Sequence, residues 1–107
     1  MTRRGSIVTV ALQGDLGKPR PALVIQSDLL NELTSVIVCP ITSEIRDTLF
    51  RITIEPNPGN GLRSLSQVMT DKIATVPRSK SGSTIGHLDA ERLRAVDRTL
   101  MWVIGIA

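Results

Sequence analysis

A single cysteine, Cys39, is all the thiol this chain carries, so no disulfide framework can hold it together. It sits in the apolar run 36–41, where a buried and inert thiol is expected. Aromatic residues are almost as scarce, with Phe50 and Trp102 and no tyrosine. That argues against the single-strand readers of the RNA-recognition-motif and OB types, which stack several bases on several rings. One histidine, His87, one cysteine and scattered carboxylates give no metal-ligand spacing, so no metal is expected. His87 is expected at the surface end of a strand rather than as an acid or base. No apolar run approaches the length of a membrane span, and the opening MTRRGSIVTV lacks the apolar stretch of a signal peptide. The expectation is a soluble, cytoplasmic protein.

What the chain does have is enough length for one domain over residues 1–107, burying roughly two thirds of its unfolded surface. It carries 13 lysines and arginines against 10 carboxylates, a formal charge of +3, which permits a polyanionic partner without demanding one. Ten of the thirteen cations are arginine, whose planar fork suits phosphate.

Residues 6–12 alternate, with Val8, Val10 and Leu12 on one face, and read as a first strand. Runs 22–26 and 35–41 are continuously apolar and rich in Val and Ile, the mark of central strands buried on both faces. Phe50, Ile52 and Ile54 alternate with Arg51, Thr53 and Glu55 in a half-exposed fourth strand, which the turn residues PNPGNG then end. Residues 66–76 predict a fifth, bent strand, and residues 83–87 a short sixth. The period then changes. Asp89 can cap a helix, Leu88 and Leu93 stand as a hydrophobic staple, and Leu93, Val96, Leu100 and Val103 form a stripe that Gly105 ends. The fold class expected is mainly β with α: a small, strongly curved antiparallel sheet or barrel with one C-terminal amphipathic helix.

The stretch GDLGKPRPALVIQSD places Lys18 and Arg20 directly before a buried strand. Pro19 and Pro21 bracket Arg20 and hold it near an extended conformation. Gly14 to Lys18 is not a phosphate-binding P-loop, because position 12 is Leu, Pro19 stands where Ser or Thr should bind magnesium, and a strand follows instead of a helix. What remains is a polar cluster at strand ends: Arg20 before the second strand, Thr42 and Ser43 after the third, Asp71 and Lys72 within the fifth. On physics alone the favoured reading of these residues is a simple turn at Thr42-Ser43 and an ordinary surface ion pair from Asp71 to Lys72 or Arg20.

Taken in order, RRGSIVTV, KPRPALVIQSD, VIVCPITSEI, MTDKIATVPRSK, GSTIGHLD and AERLRAVDRTLMWVIGI resemble the MazF/PemK/Kid family of toxins from bacterial toxin–antitoxin systems, over about residues 3–106. The most specific pieces are Arg20-Pro21, the Pro-Ile-Thr-Ser of residues 40–43, and Asp71 with Thr75. The resemblance implies an SH3-like barrel, a homodimer, and an endoribonuclease that cuts single-stranded RNA at short sequences without cofactor or metal. Such an enzyme can use the substrate's own 2′-hydroxyl as nucleophile, and needs only groups that hold the phosphate, stabilise its charge and move protons. The family's catalytic arginine maps onto Arg20 and its catalytic threonine onto Thr42, with Asp71 as candidate proton acceptor. Lys18, Ser43, Lys72 and Arg78 are the expected RNA contacts. A cognate antitoxin with an acidic, disordered tail is the expected protein partner.

Two departures bear on specificity. The loop before the arginine is cut to roughly residues 13–19, and the arginine that some members carry two residues before the aspartate is Met69 here, with Lys72 following Asp71. The segment 69–77 and the ending WVIGI also resemble CcdB, a toxin of the same fold that binds DNA gyrase and cleaves no RNA. On that alternative the gyrase contacts are Trp102, Gly105 and Ile106. A binding module with no catalysis is the third reading.

Overall fold

Strand β3, Ser35–Thr42, organises the domain, because it pairs with three other strands in the computed structural model. The structure describes residues 2–12 and 18–107. The remaining elements are β1 (Ser6–Val10), β2 (Arg20–Val24), β4 (Arg51–Ile54), β5 (Ser66–Met69), β6 (Ala74–Pro77), β7 (Ser81–His87) and the helix α1 (Ala90–Ile104). Every pairing is antiparallel, in the order β4-β5-β3-β2-β1-β7 with β6 also on β3. One edge of β3 takes β2, while the other takes β6 along its first half and β5 at Ile41 and Thr42.

That division corrects one expectation. The bent fifth strand is two strands, separated by a 3₁₀ turn at Thr70–Lys72. Thr70 is fully buried and its hydroxyl donates to the carbonyl of Phe50, which pins the turn beneath the sheet. The last strand is longer than expected, and β1 stops at Val10, two residues early. The shortened loop before Arg20 falls largely outside the described residues. The sheet curls without closing: β4 and β7 remain its two ends. The loop after β4 nevertheless meets β7, where the His87 amide donates to the Gly59 carbonyl at 2.9 Å. Glycine is required at this seam, since a Cβ on Gly61 (φ +70°) would lie 2.1 Å from the Ile85 oxygen.

Strand alternation divides the core into two apolar clusters. Ile7, Leu23, Cys39, Ile41, Ile54 and Val68 pack with Leu88, Val96 and Leu100 of the helical end. Val8, Val10, Ala22, Val24, Val36, Val38 and Val76 fill the other face. The first strand therefore buries both faces, where its alternation suggests one. β2 and β3 bury both, as their unbroken apolar runs indicate. Helix α1 begins where Asp89 accepts from the Arg92 amide at 3.0 Å, and Gly105 ends it at φ +82°. Arg4 ties it to the sheet, with Nε on the Ile25 carbonyl at 2.9 Å and a forked pair to Asp97 at 2.5 and 3.3 Å. Among the described residues, no helix is long and apolar enough to cross a membrane.

Candidate functional site: a basic cleft at the strand ends

The start of β2 and the end of β3 face one cleft of about 940 Å³. Its walls include Arg20, Thr42, Ser43, Arg63, Met69 and Lys72. Arg20 is exposed and opposes Val10 in the ladder, so the strand fixes its backbone, and its fork has no ion-pair partner among the described residues. Thr42 closes β3, and its Oγ1 accepts from the Glu44 amide at 3.0 Å. With one lone pair occupied in this way, the hydroxyl keeps its hydrogen to donate outward. Glu44, the one carboxylate among the described cleft-lining residues, is held by Arg46 at 2.6 Å.

The 3₁₀ turn separates Asp71 from Lys72, because successive residues on so tight a turn point about a third of a revolution apart. Lys72 lines the cleft together with Met69, so the cation absent at position 69 is supplied three residues later. Asp71 lines an adjoining hollow of about 600 Å³ with Ile45, Arg46, Asp47, Thr48 and Arg51. There its Oδ1 lies 3.5 Å from Nε of Arg51.

The other expected contacts lie apart. Lys18 is exposed beside Pro19, which lines the cleft, but is not itself a wall residue. Arg78 sits in the turn after β6, where its Nε donates to the Leu33 carbonyl at 2.6 Å and its Nη1 to Thr2 at 3.4 Å. Trp102, Gly105 and Ile106 occupy the exposed end of α1, away from the cleft walls. His87 is exposed at the end of β7, within 3.4 Å of the Ser6 hydroxyl. Cys39 is fully buried, and its thiol is pushed up to about 12 by that burial and then by Asp71, with Arg4 opposing. The burial is what its apolar setting in the sequence suggests, and a thiol held protonated is a poor nucleophile.

Arg63 is the wall residue that sequence reasoning missed. Its loop is rigid because buried Asn60 donates to the Glu55 carbonyl at 2.9 Å and accepts from the amides of Asn57 and Leu62 at 3.1 and 3.0 Å. The available signal was a cation two residues beyond a glycine-closed turn.

Comparisons with known proteins bear on the family and the fold. A family model described as the PemK-like, MazF-like toxin of type II toxin–antitoxin systems matches residues 3–104. The chain belongs to this toxin family. A probable endoribonuclease MazF of Mycolicibacterium smegmatis is 45% identical to this toxin over 107 residues, covering 98% of each chain. The solved structure of the Mycobacterium tuberculosis toxin MazF-mt6 superposes with a TM-score of 0.84 at 27% identity, covering 95% of this toxin and 98% of that one. A mycobacterial endoribonuclease solved in complex with its cognate antitoxin shares the fold, with a TM-score of 0.86 at 18% identity, covering 100% of this chain and 98% of that one.

Proposed function

We propose that this toxin is an endoribonuclease that cuts single-stranded RNA, mRNA in the cell, through the 2′-hydroxyl of its substrate. The observation that carries the reading is the placement of Arg20 and Thr42, from two different strands, on the walls of one cleft. In such a reaction the 2′-oxygen attacks the neighbouring phosphorus and the bond to the 5′-oxygen breaks. The products are a 2′,3′-cyclic phosphate and a 5′-hydroxyl. The proton of the 2′-hydroxyl passes to an acceptor, and the departing 5′-oxygen takes one up. Arg20 supplies a fork of donors to the non-bridging oxygens as their charge grows, and Thr42 supplies one more donor. Lys72 and Arg63 hold the flanking phosphates, with Ser43 and Lys18 nearby. Asp71, the candidate proton acceptor, has the least support of the three catalytic assignments, since it faces the hollow and Arg51.

The cations around the cleft also suit a cognate antitoxin whose acidic segment lies over them, and that binding should weaken as salt rises. A homodimer belongs to the same reading: Trp102, Ile104 and Ile106 leave an apolar end of α1 uncovered, and sedimentation should give twice the 11.6 kDa of one chain. The relatives named endoribonucleases favour the cleft over gyrase as the toxic device. The test incubates purified toxin with a long single-stranded RNA in EDTA, and in parallel with gyrase and supercoiled DNA. Cleavage in EDTA leaving 5′-hydroxyl ends, with gyrase unaffected, is expected. No RNA cleavage, together with gyrase inhibition that disappears on truncation after Val103, would overturn the reading.

A further inference from the structure

We propose that the hollow beside the cleft is a base subsite that selects guanine in the RNA strand, an inference that rests on the ribonuclease reading above. It starts from Arg51. This side chain is only 10% exposed, yet its guanidinium makes no hydrogen bond among the described residues; its sole ionic neighbour is Asp71, 3.5 Å away. None of its nitrogens is sealed off as a buried atom without a partner, so the fork opens to the hollow that Arg51 lines. A largely buried guanidinium with unfilled donors costs free energy, which a ligand with matching acceptors recovers.

The rest of the hollow narrows the choice of ligand. Asp47 lines it with no cation within 4.0 Å among the described residues, and Ile45 offers an apolar surface that is 44% exposed. The backbone that carries these side chains is fixed: buried Gln67 accepts from the Arg46 amide at 3.0 Å and donates to its carbonyl at 2.9 Å. Two carboxylates facing the hollow would repel a phosphate, whereas a neutral base suits a site where cations and anions are matched. The hollow also follows directly from the cleft, because residues 42–44 of the cleft wall run into residues 45–48, and Lys72 adjoins Asp71.

Guanine fits this donor and acceptor set best. Its O6 and N7 present two acceptors side by side to the fork of Arg51, and its N1–H and N2–H present two donors side by side to one carboxylate, that of Asp47. Adenine, cytosine and uracil each lack at least one of these double edges. Asp71 holds Nε of Arg51, leaving the outer nitrogens for the base.

The test sequences the 5′-hydroxyl ends that the toxin produces from a randomised single-stranded RNA pool, using wild type, Asp47→Asn and Arg51→Lys. Wild type should favour guanine at one position near the cut by at least about fivefold over each other base. Both variants should flatten the preference at that position alone. Inosine, which lacks the 2-amino group, and 7-deazaguanine, which lacks N7, should each cut more slowly than guanine there. Because Arg51 is nearly buried, exposed Asp47→Asn is the decisive variant if Arg51→Lys fails to fold. Cleavage without a guanine preference, or a preference that survives Asp47→Asn, overturns the subsite. If wild type cuts no RNA, the ribonuclease reading fails on its own, and fluorescence anisotropy with short RNAs judges the hollow. Tighter binding of a guanine-containing strand that Asp47→Asn abolishes supports the subsite, and equal binding overturns it.

Discussion

The cleft and the hollow are neighbours that meet along two chain segments, the stretch that leaves β3 and the turn at Thr70–Lys72, yet their charges are arranged in opposite ways. In the cleft, Arg20, Arg63 and Lys72 gather with hydroxyls, and the one carboxylate among its described walls, Glu44, is already occupied by Arg46. In the hollow, Arg46 and Arg51 stand among Asp47 and Asp71. Unopposed cations attract a phosphate backbone whatever its sequence, while matched charges with directional forks read a base edge. One side can therefore supply affinity and chemistry while its neighbour supplies choice, and the 3₁₀ turn divides them by sending Lys72 one way and Asp71 the other.

The largest effect expected from breaking this contrast is at Arg20. Arg20→Ala should lower the single-turnover cleavage rate by about a hundredfold or more, as the loss of a main charge stabiliser does. A wild-type rate in that variant would remove Arg20 from the chemistry. Thr42→Ala should slow cleavage by roughly ten- to a hundredfold and Thr42→Ser by much less, because serine keeps the hydroxyl that both accepts from Glu44 and donates outward. Equal rates for the two variants would leave the hydroxyl without a role.

Asp71→Asn sharpens the comparison from the other side. Since Asp71 lies against Arg51, the expected result is a rate within about tenfold of wild type, of the size that loss of a supporting contact rather than of a general base produces, with altered base preference. A greater loss, with the ascending limb of the pH–rate profile abolished, would make Asp71 the proton acceptor after all. Arg63→Ala should weaken RNA binding for all sequences alike and reduce the slope of log K against log salt by about 0.7, the share of one phosphate contact on a single strand. An unchanged slope would mean that Arg63 touches no phosphate.

The smallest effect belongs to the core. The Cys39 thiol is raised in the folded state, so the fold holds its proton more tightly than the unfolded chain does. That contribution is fully present below pH 9.0, and is lost as pH climbs from there to about 12. Thermal melts of Cys39→Ala and wild type over this range should show wild type losing stability more steeply.

How far the sequence alone could be read differs between elements for physical reasons. Strands β2 and β3 were legible because an unbroken Val- and Ile-rich run admits few alternatives, and helix α1 because Asp89, Leu93 and Gly105 mark its start, its staple and its end. The break at Thr70–Lys72 was not, because what stabilises it is a buried hydroxyl bonded to Phe50, a residue twenty positions away. Arg63 escaped for a similar reason, since its place on the cleft wall depends on Asn60 and on the seam between Gly59 and His87.

The sequence by itself determined the mainly β class, the ends of the helix and the strand-end positions of Arg20 and Thr42, because these follow from local periodicity, capping and the restricted dihedrals of proline. Only the tertiary structure decided that Lys72 joins Arg20 and Thr42 while Asp71 turns to Arg51, that Arg78 is engaged by Leu33 and Thr2, and that Arg51 is almost buried with an open fork. These facts depend on which strands meet β3 and where, and pairing between distant segments is set by the packing of the whole core rather than by any one stretch of chain.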